Sequence, residues 1–473
     1  VKFPNFVGPS YESQALMQMG ARTVNMYTEK VGVPGGKSAT SLMSCPGLPD
    51  FATTSNAGGR GIFAEESGRL FVVMGAGLDE IAANGTVTPR GAVAVDASPA
   101  QLAANGKDEL LVASGGVGKL LNLLTGAFTT VVTGITFCGV VDTFLIGLDG
   151  TTGTMKISEA SDGMTWDPGQ VQQRSAAADP WIAMIVIDRK IYFFGAKTGE
   201  VWANVGASPF PFQLLSGAFF EIGIEAPFSL APLGSSFAWL GGSERGDGRV
   251  YAMSGYTPTP ISNEAIEWAI QGYKDAGRID DAIGWSYDRI GHSFYVLEFP
   301  TARKTWVFDG VTQQWHERGL WSPDDNALLA YRPRFQASCF RKNIVLDSQA
   351  AKAYYLSENV YTDVGGRTLL RMRRLPHYSN ENKNFNLDYV ELECQRGVGL
   401  TQGQGADPLV TLAVSWDGGA TYGNDRTASL GKKGEYAQRV RWDRCGQGSD
   451  LVMALTCSDP VAARWFDLYG GIS

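Results

Sequence analysis

The sequence predicts an all-β chain: a large β-propeller of six or seven blades followed by a C-terminal β-sandwich module. Three observations lead there. An apolar strand, a tight turn and a second apolar or aromatic strand return roughly every 40–50 residues, the spacing of propeller blades. Glycine is abundant, 58 of 473 residues, while charged residues make up only 19%; many short strands joined by positive-φ turns explain both values. Few stretches hold a helical period. One such unit cannot bury both faces of its small sheet, whereas units packed radially around an axis do.

Residues 1–60 read as an irregular N-terminal segment punctuated by Pro4, Pro9 and Pro46-Gly47. Within it, Arg22–Tyr27 alternates enough to be a strand, and pairing with a late blade would let it close the ring. Residues 61–370 carry the repeats. Copies are Arg69–Met74 with the turn Gly75-Ala76-Gly77, Glu109–Ala113 with Ser114-Gly115-Gly116, and Trp181–Ile187 returning at Ile191–Gly195. Two more are Ser236–Leu240 returning at Gly248–Met253, and Ser293–Phe299 returning at Lys304–Gly310. One helix interrupts them. Ser262 or Asn263 caps it, Ile266, Ala269, Ile270 and Tyr273 share a face, and Gly272 and Gly277 lie near its end. It reads as a cover over a blade edge, with a contact to a neighbouring subunit as the alternative. A composition shift at about 365–385 marks the crossing between modules, and residues 371–473 resume strand patterning as the sandwich.

Charge and cysteine usage exclude several function classes. A formal charge of −8 argues against a protein that grips a nucleic-acid backbone, though an acidic wall beside DNA is compatible with it. The six cysteines, Cys45, Cys138, Cys339, Cys394, Cys445 and Cys457, form no CxxC pair and no disulfide framework, so free thiols made in a reducing cytoplasm are expected. No charged-then-apolar leader is visible, and no apolar run approaches the ~18 residues of a membrane span.

The motifs favour architecture over chemistry. Ser415-Trp416-Asp417-Gly418-Gly419-Ala420-Thr421-Tyr422 resembles the Asp box of sialidases, and Ser161–Trp166 is a degenerate relative. Such a box stabilises a hairpin: the Asp side chain accepts backbone N–H groups and the glycines take positive φ. No G-x-S-x-G elbow occurs, and His292, His316 and His377 stand apart without metal-ligand spacing, so catalytic, metal and cofactor residues are all expected to be absent. The Gly-rich turns at 75–77 and 114–119 lack the Lys-Ser/Thr of a phosphate loop. Arg367, Arg371, Arg373 and Arg374 are close in sequence, but alternate ones would point to opposite faces of a strand, so they read as a solvated or subunit-contact face rather than a carboxylate site. The tryptophans read as wedges between blades.

Several stretches, taken in order, resemble the tail hub proteins of short-tailed bacteriophages, also called packaged-DNA stabilisation or tail accessory proteins. Val24-Asn25-Met26 followed by Cys45-Pro46-Gly47 is similar to that family's N-terminal arrangement. Arg60-Gly61, Gly223–Pro227 leading into Ser236–Leu240, Pro258–Ser262 with the helix Ala265–Ile270, and His292–Leu297 through Thr305–Asp309 continue it. Thr411–Gly423 and Arg439–Trp442 resemble its C-terminal module. The resemblance implies a structural virion protein of the phage tail, made in the host bacterial cytoplasm, with no enzyme activity. It implies a homo-oligomeric ring of about six copies that extends the portal–adaptor channel and helps retain packaged DNA. A tail adaptor would sit on the portal side, a needle, plug or tailspike on the distal side, and double-stranded DNA would pass without sequence-specific binding. Charge and position single out Arg367, Arg371, Arg373, Arg374, Arg439 and Arg441 as candidate assembly contacts. The Asp box and the aromatics keep open a carbohydrate-active propeller, either a sialidase-like hydrolase or a glycan binder.

Overall fold

The computed structural model describes residues 1–15, 18–31, 38–174, 177–243 and 246–473. Among these, seven blade sheets follow one another around an axis. Blade one is Gly59–Ala64, Leu70–Met74, Gly77–Ile81 and Val87–Ala92 in that hydrogen-bonded order. The next five span 101–133, 137–173, 183–220, 223–260 and 283–318. Blade seven takes Pro333–Cys339, Lys342–Asp347 and Lys352–Tyr355 from late in the chain and its fourth strand, Asp50–Thr53, from near the start.

The apolar runs of the repeat follow from radial stacking. In Leu70–Met74, Leu70, Val72 and Met74 pack against blade seven, while Phe71 and Val73 pack against blade two. Both faces of the strand are dry, so period-two alternation disappears and the run is uninterrupted. Each fully buried side chain of this kind contributes roughly 1.5–3 kcal/mol. Trp181, Trp239 and Trp315 are fully buried within this core, as wedges should be. Trp268 lies exposed on the helix, and Trp166, Trp202 and Trp321 are only partly buried.

That helix, Glu264–Ala276, covers the seam between blades five and six. Asn263 caps it, its side chain accepting the Ile266 N–H at 3.0 Å. Ile266 and Ile270 are fully buried in the cluster that holds Leu240, Leu297 and Trp315.

The sandwich has two sheets around one core. One runs Arg371–Arg374, Asp450–Cys457, Leu409–Ser415, Arg426–Ser429; the other is built on Phe385–Cys394, Arg464–Ile472 and Val440–Asp443. The N-terminal segment is not irregular. It supplies Gly20–Val24 to the first sheet and Met26–Lys30 and Thr40–Ser44 to the second, and it buries Phe3 and Phe6 in the sandwich core.

The expected strand Arg22–Tyr27 therefore splits at Asn25. This residue has φ +52° and is wholly buried. Its side chain donates to the carbonyls of Gly319 and Leu370 at 2.9 Å each and accepts the Gly319 N–H at 3.1 Å. Asn tolerates this left-handed conformation better than most residues, so it serves as the pivot where the chain leaves one sheet for the other. Before the pivot, Val24 pairs in parallel with Glu317 on the last strand of blade six, which joins blade six and the sandwich in one sheet. The strand expected to close the ring is thus a bridge between modules; Asp50–Thr53 does the closing.

Pro46-Gly47 docks the descending chain onto the end of blade seven. The Gly47 N–H donates to Ser357 O and Val360 O, and Leu48 N–H donates to Thr362 O. A methyl on Gly47 would overlap the Val360 carbonyl and lie 2.8 Å from Thr362 O. Gly47→Ala is expected to cost about 1–3 kcal/mol or more, as overpacking against fixed backbone does, read as a lower unfolding midpoint; an unchanged midpoint would show that this docking does not hold the ring.

Candidate functional site

The six arginines singled out from sequence separate into two groups. Arg371 and Arg373 are 0% and 1% exposed, which corrects their reading as contact residues. Arg373 points into the molecule and makes five hydrogen bonds: Nε to Phe6 O at 2.7 Å, Nη2 to Asn5 O at 2.7 Å, and Nη1 to Gly8 O, Pro9 O and Thr23 Oγ1. Burial without a carboxylate pulls its guanidinium down to about 9. Arg371 donates to Cys457 Sγ and to Asp459 O. Arg374 faces the other way and clamps Glu12 and the Gly20 carbonyl. The strand is an internal fastening for the N-terminal arm. Arg367, Arg439 and Arg441 remain at the surface: Arg439 pairs with Glu391, Arg441 pairs with Asp443 and lies 3.8 Å over the Tyr389 ring, and Arg367 is exposed.

The Asp-box residues converge on one turn. Ser415 Oγ donates to Asp417 Oδ1 and accepts the Gly419 N–H; Thr421 N–H and Oγ1 donate to the two Asp417 oxygens at 2.8 and 2.6 Å. Gly418 and Gly419 have φ of 69° and 86°. The Thr421 hydroxyl, then its N–H, pull the Asp417 carboxyl down to about 2. Tyr422 is 38% exposed, and Trp416 packs under the turn, beside Phe385. Asp162 repeats the geometry with Met164 N–H and Thr165 Oγ1. Every acceptor of both carboxylates faces its own loop.

A cavity of 560 Å³ lies on the propeller axis and is lined by the innermost strands of the blades. Leu102, Val140, Met184 and Trp285 share its lining with the neutral polar side chains of Gln101, Ser286 and Gln336, and Phe137 stacks on Phe228 at 4.8 Å within it. Among the described residues, no carboxylate, imidazole or amine lines it, and burial pushes the Cys138 thiol up to about 12. General acid–base work needs a group near the operating pH, and none faces this space.

Comparison with known proteins decides the family. A family model described as bacteriophage P22 Gp10, beta-propeller, matches residues 10–361, and one described as bacteriophage P22 Gp10, beta-sandwich, matches residues 371–464. The chain belongs to the bacteriophage P22 Gp10 family. It is a phage tail structural protein of the tail accessory, DNA-stabilisation type of podoviruses, and a virion component. No curated protein matches the chain. Among solved structures, virginiamycin B lyase from Staphylococcus aureus is similar at 10% identity over 66% of this chain and 98% of that one, with a TM-score of 0.45. Hydrazine synthase of Kuenenia stuttgartiensis is similar at 9% identity over 65% and 97%, with a TM-score of 0.42.

In this Gp10-family chain the histidines do not stand apart, contrary to the sequence reading. His292 Nδ1 meets Asp309 Oδ2 at 2.8 Å and Nε2 meets Glu29 Oε2 at 3.0 Å, tying the second arm strand to blade six. The hydrogen bond to Asp309 raises its affinity for a proton. Burial works against ionisation of Asp309, but hydrogen bonds from His292 and Thr312 outweigh it and hold that carboxyl low. His316, two strands away, lies 3.9 Å from Cys45 Sγ; burial first, then the Arg318 charge, push it down to about 3. Arg318 donates to Tyr331 Oη at 2.6 Å. His377 meets Asp450 at 3.0 Å. Sequence spacing hid these pairings because Glu29 and His292 are 263 residues apart.

Two outcomes follow from these contacts. Arg373→Met leaves the carbonyls of Asn5, Phe6 and Pro9 without their donor and should cost about 3 kcal/mol or more, with the N-terminal segment opening to protease; a variant that resists cleavage as the parent does would refute the clamp. His316 ionises near 6.5 when unfolded but near 3 when folded, so its contribution is complete above pH 6.5 and fades as pH falls toward 3. Urea unfolding between pH 6.5 and 4 should therefore lose about 1.4 kcal/mol per pH unit from this residue, a slope that His316→Gln removes; the same slope in the variant would mean the imidazole is charged in the fold.

Proposed function

We propose that the chain is the hub of a short phage tail, assembling as a ring of about six copies that extends the portal–adaptor channel, helps retain the packaged genome and receives a needle, plug or tailspike distally. Matching of both modules, in order, carries this reading. The geometry supports a particular version of it. A cavity of 560 Å³ with stacked phenylalanines inside is the size of a small-molecule pocket and does not admit a duplex. The conduit would therefore lie between copies, around the symmetry axis of the ring. With a net charge of −8, the walls would repel phosphates, so DNA would slide without adhering. Closure of the ring would come from head-to-tail contacts that repeat around one axis. Arg367, Arg439 and Arg441 remain the candidates for these contacts, whereas Arg371, Arg373 and Arg374 are committed within the chain.

Electron microscopy of the purified protein, alone and with its tail adaptor, tests the assembly. Closed rings of about six copies with an open lumen are expected; only monomers, with adaptor present, would sink the reading. In the same preparation a short duplex should run unshifted at ~0.15 M salt, and a tight shift would contradict the non-adhesive wall.

A further inference from the structure

The chain is acidic overall, yet one concave site is strongly basic. A cavity of 550 Å³ opens where blades six and seven meet, and Arg303, Arg332, Arg334 and Arg367 line it against a single carboxylate, Glu298. These arginines come from four places: the hairpin after His292–Phe299, the entry to blade seven, its first strand Pro333–Cys339, and the crossing to the sandwich.

The carboxylates nearby are already engaged. Arg334 grips Glu298 side-on, Nε to Oε2 at 2.9 Å and Nη2 to Oε1, which pins blade seven to blade six. Arg332 grips Asp347 the same way, at 3.1 and 2.6 Å, and Asp347 also accepts Tyr354 Oη. Both pairs use the Nε and Nη2 donors and leave Nη1 without a partner among the described residues. Arg303 and Arg367 are exposed, and their side chains have no partner among the described residues. Two guanidinium groups are thus held rigidly by buried acids, and two more stand uncommitted at the rim.

We propose that this cavity is a docking site for a carboxylate-bearing segment of a second copy of this chain, the next subunit of the ring. The proposal rests on the hub reading above for the presence of such neighbours. Guanidinium forks match carboxylates bidentately, and two of these four are pre-oriented by their own acid partners. Charge complementarity points to protein: Asp and Glu outnumber Lys and Arg by 48 to 40 in this chain, so a second copy offers the matching surface. Duplex DNA is disfavoured by shape. Its charge runs as a continuous stripe, whereas this basic patch is a local recess the size of a small-ligand pocket.

The test uses the full-length protein and Arg303→Ala/Arg367→Ala, which removes only the uncommitted pair. Unfolding midpoints should be unchanged. Titration with a hexaglutamate peptide should show binding that weakens at least tenfold in the variant and with added salt. A short duplex or inorganic phosphate at equal concentration should not displace the peptide. Equal peptide affinity in both proteins, absence of binding to the parent, or displacement by duplex or phosphate would each overturn the assignment. Ring formation is scored separately. A parent that makes no rings with the tail adaptor present defeats the hub reading, while a parent and a variant that make rings equally well defeat only the docking site.

Discussion

Arg373 sits where no carboxylate answers it. Taking a guanidinium out of water without a counter-charge costs several kcal/mol unless its donors are filled. Here they are filled by backbone carbonyls of residues 5–9 and by Thr23, so the cost is recovered only when the N-terminal arm lies in its place. With the arm in place, Gly20–Val24 bridges blade six to the sandwich, Met26–Lys30 and Thr40–Ser44 complete the second sandwich sheet, and Asp50–Thr53 reaches blade seven to close the wheel. The two modules are consequently one continuous fabric, and the order of the last blade depends on residues more than 280 positions upstream.

The features that sequence reading recovered are those written in neighbouring residues. Blades one, two, four, five and six announce themselves through apolar hairpins, and the helix through its cap and apolar stripe. Blade seven was hidden because its fourth strand is at the opposite end of the chain. Blade three was hidden because its strands carry small residues at the contacts: a methyl on Gly147 would lie 2.5 Å from Ile135, and one on Gly139 2.6 Å from Val186. The arginine strand misled for a physical reason. A run of charges usually marks a solvated face, and the carbonyls that satisfy Arg373 lie about 365 residues away, invisible to local pattern. The same distance effect concealed the basic recess, whose four arginines never form a cluster in sequence.

Buried ionisable groups in an enzyme converge on a space that substrate can enter. In this chain they converge on seams. His292, Asp309 and Glu29 face one another across the arm and blade six; Arg318, Tyr331, Cys45 and His316 fill the junction behind them; burial raises the Asp363 carboxyl to about 6 beside Arg318. His292 and His316 are shifted in opposite directions within one junction, which reports two local environments, one rich in carboxylate and one beside a guanidinium. The pairing is structural, because the partner of each group is another part of the same wall.

A ring that channels DNA asks its subunits for rigid shape. Heterologous contacts close a ring only if the angle between successive copies is reproducible, since a subunit that flexes allows open spirals as readily as closed circles. In a ring of such copies, a wheel of seven blades locked by its own N-terminal strand, with a sandwich fastened through a shared sheet, would hold that angle by covalent continuity and buried hydrogen bonds. On this reading the axial cavity is a by-product of radial packing, and the phenylalanines inside it fill space that wedge-shaped sheets leave. The working surfaces would then lie on the outside of the wheel: at the blade six–seven recess, where Arg303 and Arg367 are uncommitted, and at the outer strand of the sandwich, where Arg439 and Arg441 pair with surface acids.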